Sequence, residues 1–170
     1  MTVPSPLTIE RIRIYRYQMP LRRAYGTARG RTTASTNFVV HLVGADGRKW
    51  YEGFGESQPR HSLTRHGEKD RSSAWQFLKH AVTKLHHQTL SYMTATEAVD
   101  AVRAIMADMR NLARQEATEL HGTKPFRGTL LGIEVALLDL VARSLELSVS
   151  QLLGERRADV EISISTISTA

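Results

Sequence analysis

A chain of 170 residues with 41% apolar and 24% charged residues is sized for one hydrophobic core, or one core plus a fragment of another. It has no cysteine, which excludes disulfides and thiolate metal sites and favours a cytoplasmic location. The formal net charge of +6 suits anionic ligands or nucleic acid, but also plain solubility or an acidic half elsewhere. No apolar run reaches the roughly 18 residues of a membrane span, so no membrane partner is expected, and the opening MTVPSPLTIE lacks a signal-peptide pattern.

Residues 1–6 read as a loose lead. LTIERIRIYRYQMPL then alternates: Ile12 and Ile14 point one way, Arg11 and Arg13 the other. This predicts a strand with one face in water. Tyr15 and Tyr17 fall on the arginine side, Arg16 follows the isoleucines, and Ile9 is out of register with Ile12 and Ile14. Pro20 removes a donor and is expected to end the pairing. Residues 22–36, with two glycines, four arginines and small hydroxyl residues, read as a mobile loop. Asn37 to Val43 is a short buried strand, Asp46-Gly47 a hairpin signal, and Arg48 to Glu56 the return strand.

A second polar loop, residues 57–71, runs into a helix whose apolar face carries Trp75, Leu78, Val82 and Leu85. Thr94 to Glu97 fits a capping box opening a second helix, with Val99, Val102, Met106, Met109 and Ala113 on one face, to about Leu120. Met106 and Met109 read as core filler, and His121-Gly122 as a stop. The longest apolar segment follows, Gly128 to Glu155, in which Leu130, Ile133, Leu137, Leu138, Val141 and Leu145 form a stripe broad enough to pack on two neighbours. Glu134 and Asp139 interrupt it, and acids so close to a buried stripe need partners. VEISISTIS, residues 160–168, is β-rich. Strands, then helices, then a lone strand predict an α+β fold: a three-stranded antiparallel sheet followed by a three-helix bundle.

IEVALLDL followed by SVSQLLGE, together with Gly53-Phe54-Gly55-Glu56 at the end of the first hairpin, resembles the N-terminal capping domain of the enolase superfamily, in its muconate-lactonising and mandelate-racemase-like branch. The resemblance covers nearly the whole chain. It implies a cap over residues 1–155 and, at 156–170, the first strand of a truncated (β/α) barrel. It places the glycines in a tight turn with close backbone approach. It also implies proton abstraction next to a carboxylate, with Mg²⁺ stabilising the enediolate and a Lys or His as base. Those metal ligands and that base would fall after Ala170. The chain as given is therefore expected to bind no cofactor and to run no reaction alone. Its partners would be the missing barrel, in the same or a separate chain, and a small carboxylate substrate. A truncated or interrupted protein, a split enzyme and a cap reused as a binding module all fit. The unpaired barrel strand should seek a partner, by dimerisation into a homo-oligomer or by joining the cap's own sheet.

By the same resemblance two loops, 21–34 and 57–67, face the active-site mouth. They nominate Arg22, Arg23, Tyr25, Arg29 and Arg31, then Arg60, His61 and Arg65, as substrate-binding residues, since guanidinium forks match carboxylate and phosphate oxygens. Solvated basic loops read equally well from the residues alone, and Tyr25 could simply anchor its loop. Glu56 borders the substrate or ties the turn. Ser163, Ser165 and Thr166 lie on the barrel strand, where Ser165 could reach substrate. His86 and His87 are adjacent and would diverge by about 100° on a helix, and His61 and His66 lack an acidic or thiol partner, so no metal site is expected in this chain. Glu134 and Asp139 read as structural. A nucleic-acid module is the rival class, but the arginines are dispersed and no helix-turn-helix, RNP or KH signature is present. Salt-dependent binding to arbitrary DNA would favour it.

Overall fold

The computed structural model describes residues 6–27, 30–58, 71–117 and 125–154. Strand β1 (Leu7–Thr27) pairs antiparallel with β2 (Gly30–Ala45), which pairs antiparallel with β3 (Trp50–Ser57). Helix α1 (Arg71–Leu85) leads into β4 (Thr89–Leu90), a two-residue strand that closes the other edge of the sheet in the order β3-β2-β1-β4. Helices α2 (Ala95–Glu116), α3 (Arg127–Ser144) and α4 (Val149–Leu152) follow. The α+β class stands, but the described sheet has four strands, not three, and the described helices number four. The expected strand at 160–168, the 155/156 boundary and the His121-Gly122 stop lie outside the described residues.

The alternation in β1 behaves as the sequence predicts. Ile12 and Ile14 sit opposite Leu42 and Val40 and face the helices, while Arg11 and Arg13 are exposed on the other face. The misfit of Ile9 has a physical cause. The register slips between Ile9 and Arg11, so Glu10 is the extra residue of a bulge. One added residue flips the alternation, which returns Ile9 and Leu7 to the core face; both are fully buried.

Two expectations fail in this hairpin. Pro20 does not end the pairing: β1 runs on to Thr27, with Pro20 opposite Ala34 and a second register slip before Tyr25. The segment expected to be a mobile loop is therefore a paired ribbon. Its sequence is mostly small or charged residues, so it lacks the one-sided apolar pattern that reveals strands in sequence.

The core lies between the inner face of the sheet and the helices. Phe77 of α1 stacks on Phe126 with centroids 4.4 Å apart, and Trp75 tilts over Phe38 at 5.5 Å. Helix α2 opens as a variant of the expected capping box: Thr94 Oγ1 accepts from Glu97 N at 3.2 Å, but Glu97 reaches back to Met93 N (2.6 Å), one residue before the cap. Such a cap contributes about 1 kcal/mol.

Helix α3 carries the broad stripe, with Leu130, Ile133, Leu137, Leu140 and Val141 buried against β2, β3 and α2. Its two acids have partners: Glu134 pairs with Arg110 of α2 at 3.7 Å, and Asp139 accepts from Arg143 Nε at 3.1 Å and from the Phe54 backbone N–H at 2.9 Å. The segment 128–155 is not one helix. At Leu145 the chain turns through Glu146 (φ 57°), with Leu147 N bonded to Ala142 O and Glu146 N to Arg143 O. These are the paired bonds of a Schellman stop, with Glu where Gly usually stands. Ser148 and Gln151 then form a reciprocal capping box that starts α4.

The Gly53-Phe54-Gly55-Glu56 segment is not a turn; it lies inside β3. The close backbone approach expected of the glycines does hold. A side chain at Gly55 would collide with the Gly132 carbonyl oxygen and lie 2.6 Å from Ala136 N; one at Gly53 would strike the Ala136 carbonyl oxygen and lie 2.6 Å from Leu140 N. Gly132 answers from the helix side, where a Cβ would come 2.8 Å from Ser57 Cβ. Three glycines thus let α3 lie directly on the edge strand.

Candidate functional site

Residues of β1, β2 and β3 that face away from the helices stand in rows across the sheet. Tyr17 is opposite Asn37, and Val39, one row back, is opposite Glu56. Near the end of β3 this face carries a connected polar network. Gln58 Nε2 donates to Ser35 Oγ; Ser35 Oγ donates to Asn37 Oδ1 at 2.6 Å; Asn37 Nδ2 donates to Tyr17 Oη at 3.2 Å and to Glu56 Oε1; and Tyr17 Oη donates to Glu56 Oε1 at 2.6 Å. Every donor in the chain points toward Glu56. That polarity suits an ionised carboxylate, which can only accept.

The electrostatics agree. The Tyr17 hydroxyl first, and the Asn37 amide second, hold the Glu56 carboxyl below its ordinary range against a small opposing effect of burial. The same carboxylate raises the Tyr17 hydroxyl. A depressed carboxylate value means stability that is complete above the unfolded-state value and is lost as pH falls through the folded one. Glu56→Gln, which can still accept both bonds, should therefore cost about 1 kcal/mol or less at neutral pH, because the site is exposed. Urea titrations should show the difference from the parent shrinking as pH falls through the acid range; a constant difference would refute the ionised network.

The substrate-binding candidates are dispersed by comparison. Arg22 and Arg23 are exposed on the ribbon, about 17 Å beyond Tyr17 at strand rise. Among the described residues neither pairs with an acid. Tyr25 and Arg31 hold neighbouring places in the backbone ladder, opposite Thr32 and Gly26. Arg29, Arg60, His61, Arg65 and Ser165, with His66, Ser163 and Thr166, lie outside the described residues. Of the candidates, Glu56 alone sits in a defined network among the described residues. Asn37, which donates to it, and Ser35, which donates to Asn37, were missed, and the available signal was Tyr17 together with the odd-numbered polar residues of β2 on the same face.

His86 and His87 do not diverge on a helix, because α1 ends at Leu85. His87 has φ 62° and the rings lie 3.8 Å apart; His86 Nε2 donates to the Glu10 carbonyl at 3.1 Å. Among the described residues there is no group of three or more His, Cys, Asp or Glu that could hold a metal ion, and no helix long and apolar enough to cross a membrane.

No family model matches the chain, and no curated protein matches it. Solved structures do. N-succinyl Arg/Lys racemase from Bacillus cereus aligns over 88% of this chain and 34% of its own, with TM-score 0.67 and 20% identity. A dipeptide epimerase from Cytophaga hutchinsonii, complexed with Mg and a dipeptide, aligns over 89% of this chain and 34% of its own, with TM-score 0.66 and 18% identity. A mandelate racemase/muconate lactonizing protein from Herpetosiphon aurantiacus aligns over 85% of this chain and 33% of its own, with TM-score 0.53 and 19% identity. The fold is thus one shared with the mandelate racemase/muconate lactonizing group and with enolase-superfamily epimerases, and the chain spans about a third of their length.

Proposed function

We propose that this chain is the substrate-capping part of a metal-dependent enolase-superfamily enzyme, an isomerase, epimerase, lyase or dehydratase that abstracts a proton next to a carboxylate. The carrying observation is the fold shared with a racemase and epimerases over about a third of their length. The remaining two thirds would supply the barrel, with the base and the metal. The metal does not fit the residues described here, which offer no cluster of ligands. The cap's task is to bind, orient and exclude water. The β1–β2 ribbon would reach over the barrel mouth and present Arg22 and Arg23, with Tyr25, Arg29 and Arg31, to a substrate carboxylate. The segment after β3 would add Arg60, His61 and Arg65, and Ser165 would line the far end of the first barrel strand. Glu56 and its network would hold the root of both segments in place.

The test is to sequence the reading frame beyond Ala170, express its full product, and follow exchange of substrate α-protons in D₂O with Mg²⁺ over a panel of dipeptides, N-acyl amino acids and sugar acids. The full product should exchange at least one of them, and the 170-residue chain none. In that product Arg22→Ala and Arg23→Ala should raise KM by about tenfold, with a smaller effect on kcat, if they bind rather than react. A full product without a barrel, or one that exchanges nothing on the panel, would defeat the reading.

A further inference from the structure

The face of the sheet turned away from the helices has no cover among the described residues. Tyr15, Phe54 and Trp50 stand on it at 48%, 41% and 62% exposure, and Met19 lies farther along β1. A cluster of large apolar side chains on one flat face marks a contact surface. At its centre His41 is buried, stacked on Phe54 with centroids 4.3 Å apart and near Tyr15 at 6.5 Å. Its Nε2 lies 3.4 Å from Glu52 Oε1 but makes no hydrogen bond.

The charges on this face are sorted by strand. On β1 stand Arg11 and Arg13; on β3 stand Glu52 and Glu56. Arg11 lies level with Val43 and Glu52, Arg13 with His41 and Phe54, and Tyr15 with Val39 and Glu56. The Arg11 guanidinium lies 5.5 Å from the Trp50 ring centroid, and neither arginine makes an ion pair among the described residues. Glu52 has His41 alone as a partner among them. A row of unpaired cations and a row of acids therefore flank an aromatic centre.

We propose that this face is the interface of a homodimer whose two sheets stack about a twofold axis parallel to the strands. Such an axis lays β1 of one copy over β3 of the other and β2 over β2. Arg11 then meets the partner's Glu52 at the same level, His41 of β2 meets its counterpart on the axis, Phe54 lies over the partner's Arg13, and Tyr15 lies over the partner's Glu56. The alternative in-plane twofold, across the strands, would set arginines over arginines and acids over acids, which costs energy. Aligned sheets pack about 10 Å apart with interleaved side chains, a spacing that suits large aromatics. The proposal does not depend on the enzymatic reading.

Sedimentation equilibrium on the 170-residue chain and on the full product of its gene tests this. Both should dimerise. Arg11→Glu and Glu52→Arg should each weaken dimerisation by about tenfold or more, and the double swap should restore most of it. Both side chains are exposed, so the circular dichroism of the single variants should match the parent, and at concentrations where the parent is itself monomeric so should the thermal midpoint, which separates a lost interface from a lost fold. A parent chain that stays monomeric at about 100 μM, or a dimer indifferent to both single swaps, overturns the proposal. So does a full gene product that is monomeric because another part of it, or added single-stranded nucleic acid, occupies the face.

Discussion

Gly55→Ala is expected to cost more than about 3 kcal/mol, a large part of the stability of a domain this size. Gly55 has no positive φ, so a glycine needed only for backbone freedom is not at issue. On that ground alone alanine would stabilise the strand by about 0.5–1 kcal/mol, through a less flexible unfolded chain. The structure reverses the sign. The new methyl would meet the Gly132 carbonyl oxygen and Ala136 N of α3, and these are backbone atoms that no rotamer change can move. Helix and strand must separate. Urea denaturation of the purified variant decides the matter: a midpoint equal to or above the parent's would mean that α3 does not lie on β3 as described.

Leu140→Ala should cost about 2–5 kcal/mol, the range for emptying a tightly packed leucine site. Leu140 is fully buried where α3 crosses the sheet; a Cβ at Gly53 would lie 2.6 Å from its Cβ, and one at Gly44 would lie 3.4 Å from its Cδ2. A pairing with Gly53→Ala sharpens the test. If the cavity alone governed the site, the alanine methyl at position 53 would fill it and recover stability. That methyl first meets the Ala136 carbonyl oxygen, so the double variant should be less stable than either single one. Partial rescue would show that the helix can shift to use the space.

What could be read from the residues follows what physics writes into them. The alternation Ile12/Arg13/Ile14, the stripe of α3 and the Asp46-Gly47 turn are each a burial pattern or a turn chemistry. In that turn, Asp46 accepts from Arg48 N and Lys49 N at 2.8 and 2.7 Å, and Gly47 has φ 82°. The far half of the ribbon left no such trace, because its residues are mostly small or charged and carry no one-sided apolar alternation. The break between α3 and α4 falls in the short spacer between IEVALLDL and SVSQLLGE, but its geometry left no trace: the left-handed position fell to Glu146, a residue with no turn signature, with Glu146 N bonded to Arg143 O and Leu147 N to Ala142 O. The resemblance puts the glycines of β3 in a tight turn with close backbone approach; the close approach holds and the turn does not, since a glycine that makes room and one that frees the backbone look alike in sequence. Glu56 stood out by resemblance; Asn37, which donates to it, and Ser35, which donates to Asn37, are common polar residues whose meaning depends on which strand lies alongside.

Glu10 is a residue whose presence matters more than its identity. Its side chain does little, with only a distant approach to His87 at 4.0 Å. Yet it is the added unit that lets Leu7 and Ile9 turn inward while Arg11 and Arg13 face out. The pairing of Leu7 with Leu90, and the bonds from Ile9 N to Gln88 O and from His87 N to Ile9 O, are keyed to that count. A survey of point substitutions would pass over this position as neutral, whereas a survey of single-residue deletions would find it intolerant. Along this strand, spacing is inherited separately from chemistry.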